Sequence, residues 1–367
     1  MKFIDLNTQY EKYQKEIDEA IRAVLQSGNF ILGPVVNDME NALAQFVGVK
    51  HCLGVSSGTD ALRVALLALD IRSGDEVITT PFTWVSPAEV IAMQGAKPVF
   101  VDIEETTYNL NPDLLEQAIT PRTKAIMPVS LFGQMANFEK INAIAAKYGI
   151  PVIEDGAQSF GATQNGIPSC GATYIGCTSF FPTKPLGCYG DGGAIFTNDD
   201  EIAAKMRAFS VHGQLKRHLH QHIGMNARLD TLQAAIVRAK LPHLSKELHN
   251  REKIGQRYTE LLQDYCATPH VMPGNTHVYA QYTIRVQDRE YVLNRLKGEG
   301  IPTAIYYPKC IHEQPAYEQF GFKRGSLPVA EKAADEVLSL PMHPWLTDEE
   351  QDKIVASIIE TVGVKVG

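Results

Sequence analysis

Cys52-Leu53-Gly54-Val55-Ser56-Ser57-Gly58-Thr59-Asp60-Ala61-Leu62 admits two readings, and the choice between them decides the fold. Cys52 to Val55 is a short apolar strand. Leu62, Ala65, Leu66 and Leu69 follow at helical spacing, so a helix starts near Thr59. One reading takes Gly54-Val55-Ser56-Ser57-Gly58 as the G-x-S-x-G nucleophile elbow of a serine hydrolase, with Ser56 as the nucleophile. The other takes the stretch as an anion cradle, in which a glycine turn brings the free N–H groups and positive dipole end of a helix onto a phosphate. A plain helix cap made by Ser57 or Thr59 would look the same. An elbow needs earlier strands to build its sheet and a preceding loop to supply an oxyanion hole. The first 50 residues instead read as helices, about 9–26 and 36–47, and no His-Gly-Gly loop precedes the stretch. The elbow match is therefore accidental.

Downstream, strands and helices alternate. Val77–Thr80, Val99–Asp102, Lys124–Val129, Pro151–Asp155 and Gly192–Thr197 are strand-like, and 86–94, 112–119, 137–148, 199–209 and 229–241 are helical. This rhythm predicts an α/β fold with a mostly parallel central sheet covered by helices. Ligands in such sheets bind beyond the carboxyl ends of the strands, where Ser57-Gly58-Thr59, Thr80 to Trp84 and Asp155 all fall. A long charged helix over 244–264 marks a change of character. Beyond it, strands at Val278–Val286 and Pro302–Pro308 and helices at 288–299, 328–338 and 348–361 predict a smaller α+β domain. The expected division is 1–245 and 246–367.

Composition excludes several classes. With 34 basic and 42 acidic residues the net charge is -8, and no dense Lys/Arg run is present, which argues against a nucleic-acid or anionic-membrane partner. No 18-residue apolar run suggests a membrane span, and Met1 to Asn7 has no apolar signal core. The six cysteines form no C-x-x-C pair, so free thiols in a cytoplasmic protein are expected. His212, His218, His220 and His222 share a polar loop, but no carboxylate or cysteine joins them at ligand spacing, so no metal is expected.

One further stretch carries chemistry: Thr178-Ser179-Phe180-Phe181-Pro182-Thr183-Lys184-Pro185-Leu186-Gly187, continuing to Gly190-Asp191-Gly192-Gly193. Two prolines and four glycines favour a fixed loop around Lys184 over a helix. A lysine held in apolar surroundings loses solvation of its ammonium, its pKa falls, and its amine becomes the nucleophile of a Schiff base. Alone, it reads as a surface lysine. Joined by the Gly58/Thr59 cradle, an aromatic ring at Trp84, an acid at Asp155 or Glu154, Gln158 and Ser179, it forms a set that suits pyridoxal phosphate. That cofactor needs donors for its phosphate, an apolar face for its ring, a carboxylate to keep its ring nitrogen protonated, and a lysine for its aldehyde.

Ser57-Gly58-Thr59-Asp60-Ala61-Leu62, Gly74 to Ile78, Pro81-Phe82-Thr83, Glu154 to Ser159, Ser179 to Lys184, Gly190 to Ala194, and Asn226-Ala227-Arg228-Leu229-Asp230 with Gln233-Ala234-Ala235 together resemble the DegT/DnrJ/EryC1/StrS family of nucleotide-sugar aminotransferases. The resemblance covers nearly the whole chain. It implies the aspartate-aminotransferase fold (fold type I) and a homodimer with shared active sites. It implies pyridoxal 5'-phosphate held by Lys184, with Asp155 on the ring nitrogen, Trp84 on the ring face and Gln158 on the ring hydroxyl. Gly58, Thr59, Ser179 and the partner chain's Asn226 would hold the phosphate. The family's dehydratase relatives carry histidine in place of this lysine, so Lys184 implies transamination from L-glutamate. Arg228-Leu229-Asp230 and Tyr307-Pro308 resemble the branch that aminates carbon 3 of UDP-2-acetamido-2-deoxy-3-oxo-glucuronate for bacterial surface polysaccharide such as O-antigen. Amination at carbon 4, or of a dTDP- or GDP-linked keto-sugar, is the alternative. Arg228, Tyr306 and Tyr307 are the expected substrate contacts, and Tyr306 stands where that branch usually has histidine.

Overall fold

A computed structural model of the protein describes residues 1–363. The strands of its sheet are apolar on both faces because helices lie on both. In chain order these strands are β1 (His51–Val55), β2 (Glu76–Thr79), β3 (Lys97–Phe100), β4 (Thr123–Met127), β5 (Ile153–Asp155), β6 (Ile175–Ser179) and β7 (Gly193–Thr197). β2 lies between β3 and β4, parallel to both. The other strands run in the order β1-β7-β6-β5. Parallel bridges from Ile126 to Val152 and from Val129 to Asp155 stitch the two groups along β4 and β5. β7 is antiparallel to both its neighbours, and β5 and β6 pair in parallel, so the sheet is mostly parallel as expected.

The longer helices of this part are α1 (Leu6–Ser27), α2 (Pro34–Val47), α3 (Gly58–Ala68), α4 (Ser86–Met93), α5 (Phe138–Tyr148), α6 (Asp200–Ser210) and α7 (Thr231–Lys240). One face of the sheet packs Val64 and Leu66 of α3 and Met206 of α6 against Val77, Ile153 and Ile195. The other packs Met39 and Leu43 of α2 and Ile236 of α7 against Phe180 and Phe196. The edge strand β1 is blunted from within. The buried Glu40 carboxylate accepts the Gly54 N–H at 2.7 Å and both guanidinium nitrogens of Arg207 at 2.8 Å. That pairing satisfies an edge N–H and the charge together.

The chain then forms α8 (Leu244–Leu262), β8 (Tyr282–Arg285), α9 (Arg289–Gly298), α10 (Pro328–Glu336), β9 (Val337–Leu340) and α11 (Asp348–Val362). β8 and β9 pair antiparallel over a core of Tyr258, Tyr282, Ile284, Leu338 and Ile354. Asp102, just past β3, accepts the Val329 and Ala330 N–H groups at 3.0 and 2.9 Å, capping α10 from the central sheet.

Besides β6, which the sequence does not suggest, four elements differ from the sequence expectation. The strand expected at Val278–Val286 is only Tyr282–Arg285, because Val278 and Gln281 give their N–H groups to the Gly133 and Phe132 carbonyls instead of to a ladder. The strand expected at Pro302–Pro308 reduces to one bridge, Ala304 with Ser339. The helix expected over 328–338 ends at Glu336, and Val337–Leu340 continues as a buried strand. The four-histidine segment is a short hairpin, Gln214–Lys216 against Leu219–His220, because His218 turns the chain at φ +64.

Candidate active site

Ser57 starts the site. It is the N-cap of α3, its hydroxyl accepting the Asp60 N–H at 3.0 Å, so the free amino end of that helix opens at the end of β1. Gly58 is required there for space. A Cβ at that position would lie 2.7 Å from the Ser179 Cβ, so the glycine lets the β6 end press against the turn. Thr59 shares its hydroxyl with Ser86 at 2.7 Å, tying the same turn to α4. The nucleophile-elbow reading fails on geometry, since the Ser56 hydroxyl donates to Asp60 at 2.5 Å and bonds no histidine among the described residues.

Glu154 and Asp155 are adjacent in β5 and so point to opposite faces of the sheet. That alternation separates the two acids, of which the family resemblance implies Asp155. The Glu154 carboxylate is fully buried, and Ser130, Ser169 and the Cys170 N–H donate to it at 2.7–2.8 Å, with Ser159 at 3.4 Å. It is committed to structure. Asp155 accepts only the Ala157 N–H, at 3.0 Å on Oδ1, and its Oδ2 accepts no hydrogen bond among the described residues. Burial pushes the Asp155 carboxyl above the usual carboxylate range, against the pull of the Ala157 N–H and the Lys184 charge. Burial likewise pulls the Lys184 ammonium below the usual lysine range, against the attraction of Asp155. The two groups therefore sense one another, without a direct ion pair among the described residues.

Lys184 stands in a loop pinched at its base, where the Cys188 N–H donates to the Phe180 carbonyl at 2.7 Å and the Lys184 N–H to the Phe181 carbonyl at 2.8 Å. Trp84, on the bend after β2, is 58% exposed. Its ring lies 6.3 Å from that of Tyr307. Tyr307 in turn accepts from Gln158 Nε2 at 3.1 Å, while Gln158 Oε1 accepts the Phe132 N–H at 2.8 Å. Trp84, Tyr307, Gln158 and Asp155 thus line one region, with Tyr306 stacked edge-on beside Tyr307 at 5.7 Å. Two of these partners went unread in the sequence. Phe132 turns its N–H toward Gln158 from a left-handed conformation, φ +59, and the following glycine was the one available signal. The Tyr307–Gln158 bond spans 149 residues and has no local signature.

Asn226 is exposed and pairs through its backbone with Val211. Arg228 pairs with Val55 at the β1 end, and its buried Nε has no hydrogen-bond partner among the described residues. A separate groove of about 590 Å³, lined by Glu252, Glu260, His270 and Tyr279 among others, includes none of the expected site residues.

A lysine and a buried, half-paired carboxylate at the carboxyl ends of a mostly parallel sheet, with a helix-end cradle beside them, define a fold type I lysine enzyme. The chain belongs to the DegT/DnrJ/EryC1/StrS aminotransferase family, whose sequence pattern matches residues 11–359. It is 53% identical to the UDP-2-acetamido-2-deoxy-3-oxo-D-glucuronate aminotransferase of Pseudomonas aeruginosa, over 98% of this chain and 99% of that one. It is 48% identical to a pleiotropic regulatory protein of Geobacillus stearothermophilus, over 97% of each. To the UDP-N-acetyl-3-dehydro-alpha-D-glucosamine 3-aminotransferase of Acidithiobacillus ferrooxidans it is 42% identical, over 98% and 97%. The crystal structure of S. venezuelae DesV in complex with a ketimine intermediate superposes with a TM-score of 0.97, at 36% identity over 100% of this chain and 99% of that one.

Proposed function

We propose that the protein is a pyridoxal-phosphate-dependent aminotransferase. It moves the amino group of L-glutamate to the 3-keto carbon of UDP-2-acetamido-2-deoxy-3-oxo-glucuronate, for bacterial surface polysaccharide such as O-antigen. It works as a cytoplasmic homodimer with shared sites, in chains divided at residue 245. The observation that carries the chemistry is Asp155, a buried carboxylate with one oxygen left bare among the described residues. A ring nitrogen carrying a proton is the partner that offsets its burial, and the carboxylate in turn raises the pKa of that nitrogen by about 1.4 kcal/mol per unit. The cradle fits as well, since α3 begins at Gly58 with its amino end at the end of β1 and Gly58 lets Ser179 approach that turn closely.

When bound, pyridoxal phosphate supplies an electron sink for the carbanion formed beside the transferred nitrogen. The chain supplies the rest. Lys184 provides an amine whose ammonium burial pulls below the usual lysine range, placed to accept a proton at one carbon and return it at another. Gly58, Thr59 and Ser179 bind the phosphate, Trp84 covers the ring, and Gln158, held by Phe132, presents its amide to the ring hydroxyl. Arg228, whose buried Nε has no partner among the described residues, supplies a cation for a sugar or donor carboxylate, together with Tyr306 and Tyr307. Asn226 and Arg228 act on the partner's site.

Likeness over the full chain to a 3-oxo-glucuronate aminotransferase supports the substrate. Apolar side chains left exposed on one protomer, among them Phe30, Ile31, Leu32, Leu215, Leu219 and Ile223, support the dimer. Among the described residues no helix is long and apolar enough to cross a membrane. The test is a panel of nucleotide-linked keto-sugars with L-glutamate as donor. The 3-oxo-glucuronate should give the highest kcat/KM. Preference for a 3-keto sugar lacking the carboxylate would instead assign the uncharged relative's substrate, and a yellow protein indifferent to every amino donor would leave a regulatory role.

A further inference from the structure

The α7 helix grips the Lys184 loop with two side chains from one face. Lys240, at its carboxyl end, is 3% exposed, and its ammonium donates to the Gly187 carbonyl. The same nitrogen sits 5.2 Å over the Tyr189 ring. Gln233, two turns earlier, brackets Tyr189, accepting its N–H at 2.9 Å and donating to its carbonyl at 3.4 Å. Gly187 lies close against the Pro182 turn, where a Cβ would meet the Pro182 carbonyl oxygen at 2.4 Å, so no side chain fits between the two ends of the loop. The segment 187–189 is therefore held from the helix side, while Phe180 and Cys188 close the loop whose far end is Lys184.

A buried ammonium is costly, and a leucine would fill the same helix position without that cost. The lysine is explained by what it holds. We propose that Lys240 is a positioning residue: by anchoring the Gly187 carbonyl, with Gln233 anchoring Tyr189, it fixes the loop that aims the Lys184 amine. Its charge is supported from the far side by Glu247 of α8, whose carboxylate accepts Gln9 Nε2 of α1 at 3.1 and 2.8 Å. The inference rests on the reading of Lys184 as the reactive amine, but the anchoring itself is measurable apart from it.

The experiment compares the full-length purified protein with Lys240→Met and with Gln233→Leu, which keep shape and remove the polar grip. Amide hydrogen exchange should quicken at Lys184 and Cys188 while the amides within α7 keep their protection. kcat should fall by about tenfold or more with the donor KM within about twofold, as misaimed catalytic groups produce. If Lys240→Met does not fold, Gln233→Leu carries the same expectation. Unchanged loop exchange in a folded variant overturns the proposal, and so does exchange that rises equally through α7, which marks mere core support. Failure of the Lys184 reading would show differently, as turnover surviving Lys184→Ala whatever the loop does.

Discussion

Asp155 and Lys184 are each pushed by burial toward the neutral form, and each holds the other partly back. Two buried groups of opposite charge that perturb one another in this way are a signature of a functional site. Asp155→Asn keeps the Ala157 hydrogen bond and the volume but cannot stay anionic. It is expected to lower kcat by about 10²-fold or more, as loss of a directed electrostatic partner does, with the cofactor still bound by absorbance. Parent-like turnover would remove Asp155 from the chemistry. A second residue gives a pH signature. His277 is buried, its Nδ1 accepts the Tyr279 N–H at 2.9 Å, and burial pulls its pKa to about 3. The unfolded imidazole takes a proton below 6.5, while the folded one does not until about 3. The unfolded state therefore binds more protons through that window, and stability falls as pH falls through it. Between pH 6.5 and 5 this group alone is worth about 2 kcal/mol of loss. Urea unfolding of His277→Asn should show a pH dependence shallower by about that amount.

At the scale of elements, the strand-turn-helix from β1 to α3 was read from its residues, because a short apolar run, a glycine turn and a helical repeat are all local. What the repeat does not reveal is the neighbour that makes Gly58 necessary, since Ser179 arrives from a strand 121 positions away. β6 itself was missed. Ile175-Gly176-Cys177-Thr178-Ser179 lacks a β-branched run, and its Gly176 is there because a Cβ would meet the Cys170 carbonyl oxygen at 2.3 Å. Gly58→Ala forces its methyl to 2.7 Å from the Ser179 Cβ, and neither backbone is free to yield. The variant should lose about 1–3 kcal/mol of stability by overpacking. Its affinity for pyridoxal phosphate in a binding titration should fall by about tenfold or more, because the cradle is displaced, a change of about 1.4 kcal/mol. Unchanged affinity would place the phosphate elsewhere.

The whole molecule raises the question of what one chain completes by itself. Trp84, Phe181 and the hairpin leucines stay exposed, and the Arg228 Nε is buried without a partner among the described residues. If Asn226 and Arg228 serve the partner's site, Lys184→Ala and Arg228→Ala chains complement each other. Each is expected to be inactive or strongly impaired alone. Mixed dimers verified by tags should recover up to about half of the parent activity per dimer, since one of the two sites then has both intact residues. No recovery would mean that each site is built from a single chain.

The sequence by itself determined the α/β layering, the two strand ends that carry the cradle and the acids, and the family, because hydrophobic period, turn glycines and short motifs are written locally. The resemblance implied Asp155 over its neighbour, but tertiary structure alone gives the physical reason, since the neighbours on each face of β5 saturate Glu154 and, among the described residues, leave one oxygen of Asp155 bare. It alone joined Tyr307 to Gln158 and Lys240 to Gly187. Such contacts depend on where folding brings distant segments together, and no periodicity in one dimension records that.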